Sequence, residues 1–149
     1  MMLLTTSRKP GRKTRTFAKV LASFMNWKYE SRGKSGLNFS EKKVAVIEER
    51  NGNPRLIRIT TQSGRYIMEF NVSNINRIKL DSSPAVFFGN PPFDPKILEA
   101  IPTRIRMNFD PDKKIFVKKI RGAYFLDFRY RGVSVFRLRL LKWGKENES

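Results

Sequence analysis

The chain has 149 residues, 40% of them hydrophobic, with 12 Phe and a formal net charge of +18. That is apolar material for one domain with a core, and more positive charge than a fold needs, since like charge costs self-repulsion and usually serves a polyanionic partner, most often nucleic acid. Cysteine and histidine are absent, which excludes disulfides, Cys or His zinc sites, thiol nucleophiles and histidine acid–base chemistry.

Residues 1–40 carry nine basic and one acidic side chain, so the field is strongest at the N-terminus. Met1–Thr6 reads as a short strand. Ser7 or Thr14 could cap the next element, and Pro10-Gly11 favours a turn and entry into a helix. From Arg12 to Met25 the pattern is helical: Phe17, Val20, Leu21 and Phe24 fall in one sector of roughly 100°. Arg12, Arg15 and Lys19 fall opposite, and Lys13, on the apolar side, must either sit near a frayed first turn or snorkel. Residues 26–36 (NWKYESRGKSG) give a short strand and a glycine-punctuated loop.

Lys43–Arg50 reads as a strand, NGNP (51–54) as a tight turn, and residues 55–61 and 66–72 as the next two strands. Residues 73–80 (SNINRIKL) read as a fourth. Asp81–Pro95, with four of the eight prolines, reads as an irregular connector, and Pro95–Ala100 as a short helix. Three further strands (114–120, 123–130, 133–141) are joined at the pairs Arg121-Gly122 and Arg131-Gly132. Residues 145–149 read as a polar tail after a domain of residues 1–144. The order strand, helix, strands, then short helix, strands suggests two related halves. No run approaches the roughly 18 apolar residues of a membrane span, and the apolar start is too short for a secretion signal; a soluble, cytoplasmic protein is expected.

The stretch SRKPGRKT comes after a strand and opens a helix, as a phosphate-binding loop does. Its spacing is not that of a P-loop, because no glycine stands five residues before Gly11 and no lysine comes directly after it. What survives is that a basic helix N-terminus offers N–H groups and a favourable dipole to phosphate. Arg121, Gly122, Phe125 and Phe128 fit an RNA-recognition consensus. Ala123 and Tyr124 are swapped in it, and a strand comes next where a helix should, so the match reads as chance.

The same strands alternate usefully. Tyr124, Leu126, Phe128 and Tyr130 take one face, and Phe125, Asp127, Arg129 and Arg131 the other. Arg137 and Arg139 share a face on the next strand. This is either a half-buried sheet with a solvated charged face or an Arg-rich surface for phosphates, with Phe125 available to stack a base. Asp110 and Asp112 flank Pro111 in a turn, and Glu48 and Glu49 point to opposite sides of a strand, so no carboxylate pair stands out for hydrolysis. RGKSG (32–36) is either a solvated connector or a phosphate cradle.

Taken together, LLTTSRKPGRKTRTFAKVLASF and SRGKSG resemble the opening of the Brix domain, a family of ribosome-biogenesis factors. Thr6, Ser7, Arg8 and Pro10 match its first element, Arg12, Arg15, Phe17, Lys19 and Leu21 its helix, and Arg32, Gly33 and Lys34 its loop. GVSVFRLRLLKWG is similar to its end, and the small size resembles the stand-alone archaeal members. The resemblance implies an α/β fold: a single domain of two similar strand/helix halves, related to the anticodon-binding domain of class IIa aminoacyl-tRNA synthetases. It implies binding to precursor ribosomal RNA without catalysis, cofactor or metal. The family places a helix after the Arg-Gly-Lys loop, where only Ser35–Lys43 is available here.

The expected function is thus a non-catalytic, monomeric factor that binds ribosomal RNA or its precursor and assists rRNA processing and subunit assembly. The RNA-binding candidates are Arg8, Lys9, Arg12, Lys13, Arg15, Lys19, Arg32, Lys34, Arg129, Arg137 and Arg139. The alternative is a protein-interaction module in assembly particles with little RNA affinity, its partners ribosomal or assembly proteins. A nucleotide-dependent enzyme is disfavoured by the missing P-loop spacing and metal ligands.

Overall fold

The computed structural model describes residues 2–31, 43–102 and 108–146. The apolar start becomes β1, Leu3–Thr6, buried along its whole length. Helix α1 spans Arg12–Met25 and buries Phe17, Leu21 and Phe24, the stripe its 3.6-residue period sets out, with Val20 partly buried beside them. It stops at Asn26, which takes the left-handed conformation (φ 60°) and returns its N–H to the Ala22 carbonyl, as asparagine can at a helix C-terminus.

The next strands are β2 (Lys28–Tyr29), β3 (Val44–Arg50), β4 (Asn53–Thr61), β5 (Gly64–Ser73) and β6 (Ala85–Phe88). After a 3-10 turn at Pro95–Leu98 come β7 (Lys113–Ile120), β8 (Ala123–Tyr130) and β9 (Val133–Lys145). Three hairpins turn on a left-handed pair: Asn51-Gly52, Arg121-Gly122 and Arg131-Gly132 have positive φ at both residues, the backbone of tight turns that match strand twist. Two of these put arginine where asparagine or glycine would cost less.

The nine strands of the described residues form one sheet in the order β2-β1-β3-β4-β5-β9-β8-β7-β6. Its two halves repeat one topology. In the first, β1 runs parallel to β3, and β3, β4 and β5 form an antiparallel meander. In the second, β6 runs parallel to β7, and β7, β8 and β9 form the meander. Even the outer edges correspond: β2 pairs parallel with β1, and Ile101 makes a parallel bridge to Val86 of β6. The halves join where β5 meets β9 antiparallel.

One helix serves both halves. Phe17 packs on Phe70 of β5 (5.6 Å between ring centroids) and Phe136 of β9 (5.1 Å), and Phe24 on Phe128 of β8 (5.2 Å). Phe128 and Phe136 stack at 4.2 Å beneath them. Burying each ring stabilises the fold by about 2–3 kcal/mol, and five of the 12 Phe meet at this seam. Among the described residues no helix is long and apolar enough to cross a membrane.

Three expectations are corrected. Residues 74–80 are not a strand: both edges of β5 are taken, by β4 and β9, and Asn74 at φ 56° turns the chain out of the sheet. The segment instead runs along α1, with Asn76 bonded to the Val135 carbonyl and Ile75, Ile78 and Leu80 packed on the core. The connector 81–95 contains β6, a four-residue strand whose flanking prolines are tolerated near a sheet edge. β9 runs on to Lys145, which pairs with Tyr66, and the Glu146 N–H donates to the Arg65 carbonyl, so these residues are tied to β5. Residues 35–43, where the resemblance would place a helix, lie almost wholly outside the described residues.

Candidate nucleic-acid interface

The turn before α1 is shaped by a residue far along the chain. Gly11 is the N-cap and has no side chain to cap with. The Glu49 carboxylate, from β3, does this instead: it accepts the Gly11 N–H (3.1 and 3.0 Å to its two oxygens) and the Thr14 hydroxyl. Neither Ser7 nor Thr14 is the cap. The Glu49 carboxylate thus sits against the positive end of the helix dipole, the place the sequence offers to phosphate.

The cations around that turn point outward. Arg8, Lys9, Arg12, Lys13, Arg15 and Lys19 are all exposed, and none is ion-paired among the described residues. Lys13 does leave the apolar side, reaching Asn53 Oδ1 at 2.9 Å. The extended segment 74–80 adds charge that the strand reading hid. Arg77 donates to Thr16 Oγ1 at 3.0 Å, and an open groove of about 650 Å³ lies between it and Arg12 and Lys13. Arg77 falls between Ile75 and Ile78, and the irregular spacing of Ile75, Ile78 and Leu80 was the available sign that this stretch packs without pairing.

The other end of α1 is held by a buried amine. Lys113, at the start of β7, is fully buried and donates to the Ser23 carbonyl (3.2 Å) and Asn26 Oδ1 (3.1 Å). Burial pushes its pKa down, opposed by the charge of Asp81. Asp81 accepts from the Ser83 hydroxyl and N–H and from the Tyr130 hydroxyl (3.0 Å), bonds that hold its carboxyl at about 2. Tyr130 is shifted up by burial and by its bond to Asp81.

The remaining candidates do not join the helix surface. Alternation puts Phe128 and Phe136 under α1, so Arg129, Arg137 and Arg139 belong to the opposite face of the sheet. Arg129 is paired with Asp127 at 2.9 Å. Phe125 shares that face, with the Arg137 guanidinium carbon 4.4 Å from its ring centroid. Arg32 and Lys34 lie outside the described residues. Among the described residues no group of three or more potential ligands could hold a metal ion.

No protein-family model matches the chain. It is 42% identical to a probable Brix domain-containing ribosomal biogenesis protein of Archaeoglobus fulgidus, over 95% of this chain and 96% of that one. Among solved structures, Mil, an archaeal Imp4-like protein, superposes with a TM-score of 0.75 at 26% identity, covering 97% of this chain and 100% of the other. A probable ribosomal biogenesis protein of Aeropyrum pernix shares the fold, with a TM-score of 0.65 at 18% identity over 99% and 97% of the two chains.

Proposed function

The chain belongs to the Brix-domain family of ribosomal biogenesis proteins, and from that premise we propose that it is a non-catalytic factor that grips ribosomal RNA or its precursor by the outer flank of α1. One observation carries the reading: six exposed cations without ion partners among the described residues line a single turn and helix, and Arg77 stands beside them. The Glu49 carboxylate at the same turn is engaged with the helix and forms no ion pair with them. Phosphates suit such a surface, because neutralising them releases the counterions condensed on the nucleic acid. Arg32 and Lys34 extend the surface in this proposal. The protein works as a cytoplasmic monomer without cofactor, assisting rRNA processing and subunit assembly. The likeness to anticodon-binding domains belongs to the same proposal and is supported by the repeated strand topology of the two halves.

The test is a salt titration of binding to ribosomal RNA. If about six phosphates are neutralised, the log–log slope is near −4 to −5. Reversing Arg12, Arg15 and Lys19 to Glu lowers affinity and flattens that slope, with the domain still folded. A slope near zero, or an unchanged affinity, defeats the reading.

A second reading, a protein-interaction module, is favoured by an apolar hollow of about 250 Å³ lined by Ile59, Met68, Phe93, Ile97 and Trp143. Tight binding to an assembly protein that persists at high salt would support it.

A further inference from the structure

On β7, β8 and β9 the side chains turned away from α1 mix aromatic and cationic groups. Lys118 pairs with Phe125 across β7 and β8, and Phe125 with Arg139 across β8 and β9, so the three share that face. Phe116 lies on it two residues from Lys118, and Phe88 of β6 stands beside Phe116, ring centroids 5.4 Å apart. Cations lie over these rings: Lys114 Nζ is 5.2 Å from the Phe88 centroid, and the Arg137 and Arg139 guanidinium carbons are 4.4 and 5.9 Å from that of Phe125.

The charges here are only partly balanced. Asp127 is taken by Arg129 and Asp110 by Lys114. Lys118, Arg137 and Arg139 have no carboxylate partner among the described residues. The Arg137 Nε is buried and has no hydrogen-bond partner among the described residues, and its guanidinium carbon lies over the Phe125 ring. Phe88, Phe116 and Phe125 are each only half-buried, on a sheet face that α1 does not cover.

We propose that this face is a second RNA site and that it takes unpaired nucleotides. Bases stack on the Arg137–Phe125 pair and on the Phe88–Phe116 pair, while Lys118 and Arg139 meet the phosphates. The inference rests on the reading that RNA is the partner, and it adds a substrate class to that reading. Rings and guanidinium planes offer stacking surfaces to splayed-out bases. A duplex hides its base faces and could use only the cations. The four strands β9, β8, β7 and β6 span roughly 14 Å at ordinary strand spacing, enough for a short single-stranded run.

The test uses oligouridine of about ten nucleotides with one internal 2-aminopurine, against a blunt RNA duplex of equal phosphate number. Phe116→Leu with Phe125→Leu keeps the face apolar and removes the rings. The expected result is a loss of about tenfold or more in oligouridine affinity, loss of the fluorescence change on binding, and duplex affinity within about twofold of the parent. Should that pair fail to fold, Phe125→Leu alone carries the test, with the same single-strand-selective loss expected. Unchanged oligouridine affinity, unchanged 2-aminopurine fluorescence at saturation, or equal losses on both RNAs would overturn the proposal. The Arg12→Glu, Arg15→Glu, Lys19→Glu variant separates the two surfaces: a single-strand-selective loss on adding the aromatic substitutions upholds this site even where the α1 grip has failed.

Discussion

Glu49 and Lys113 hold opposite ends of one helix. The carboxylate, from β3 of the first half, accepts the Gly11 N–H at 3.1 and 3.0 Å. The ammonium, from β7 of the second half, donates to the Ser23 carbonyl at 3.2 Å. Each charge has the sign that complements the helix dipole at its end. The helix contains no acid in its first turn and no base in its last, so this compensation comes entirely from the sheet. It also frees the first turn to carry Arg12 and Arg15, residues of the wrong sign for that position.

Glu49→Ala is expected to have opposite effects on stability and on binding. It removes a cap bonded to the Gly11 N–H and the Thr14 hydroxyl, and should cost about 1–2 kcal/mol in urea unfolding. It also vacates an anion position amid cations, and should tighten RNA binding about two- to fivefold at low salt. A weaker complex in the folded variant would place the bound phosphates away from the helix N-terminus.

Lys113 should leave a signature in alkaline stability. Its pKa is lowered from 10.5 in the folded chain. The unfolded chain therefore holds the proton more tightly, and stability from this group rises with pH in the window below 10.5. Lys113→Met has no such proton. The stability of the parent relative to the variant should climb as pH approaches 10.5, and using the difference cancels the opposite trend from Tyr130. Parallel pH profiles for the two proteins would contradict a buried, charged Lys113.

Asp81 governs the acid side. Its carboxyl titrates at about 2 against a usual 3.8, through its bonds from Ser83 and then Tyr130. The folded pKa is depressed, so the stabilisation is present above 3.8 and is lost as pH falls toward 2. Asp81→Asn should be less stable than the parent at neutral pH and should converge with it near the bottom of that window. NMR titration of the Asp81 carboxyl gives the same pKa directly.

The Arg121-Gly122 turn can be improved. Arg121 is exposed and sits at φ 50°, where asparagine is the favoured partner for glycine. Arg121→Asn should raise stability by about 0.5–1 kcal/mol, read as a rise of a few degrees in Tm. No gain would mean that the side chain is engaged in a contact that offsets its backbone strain.

The sequence by itself determined what depends on near neighbours. The α1 stripe of Phe17, Leu21 and Phe24, its exposed opposite side, and the meanders within 44–72 and 114–141 all come from periods and turn residues a few positions apart. Tertiary structure alone decided the rest, because those contacts join residues with no shared local pattern. Glu49 meets Gly11 across 38 positions, and Lys113 meets Ser23 across 90. Pairing of β5 with β9 displaced the strand expected at 73–80 and turned Arg77 onto the helix surface. The same pairing set Arg137 and Arg139 on the face opposite Arg12, Arg15 and Lys19. Strand alternation shows that Arg137 and Arg139 share a face, but only the packing of α1 against Phe128 and Phe136 determines which face that is.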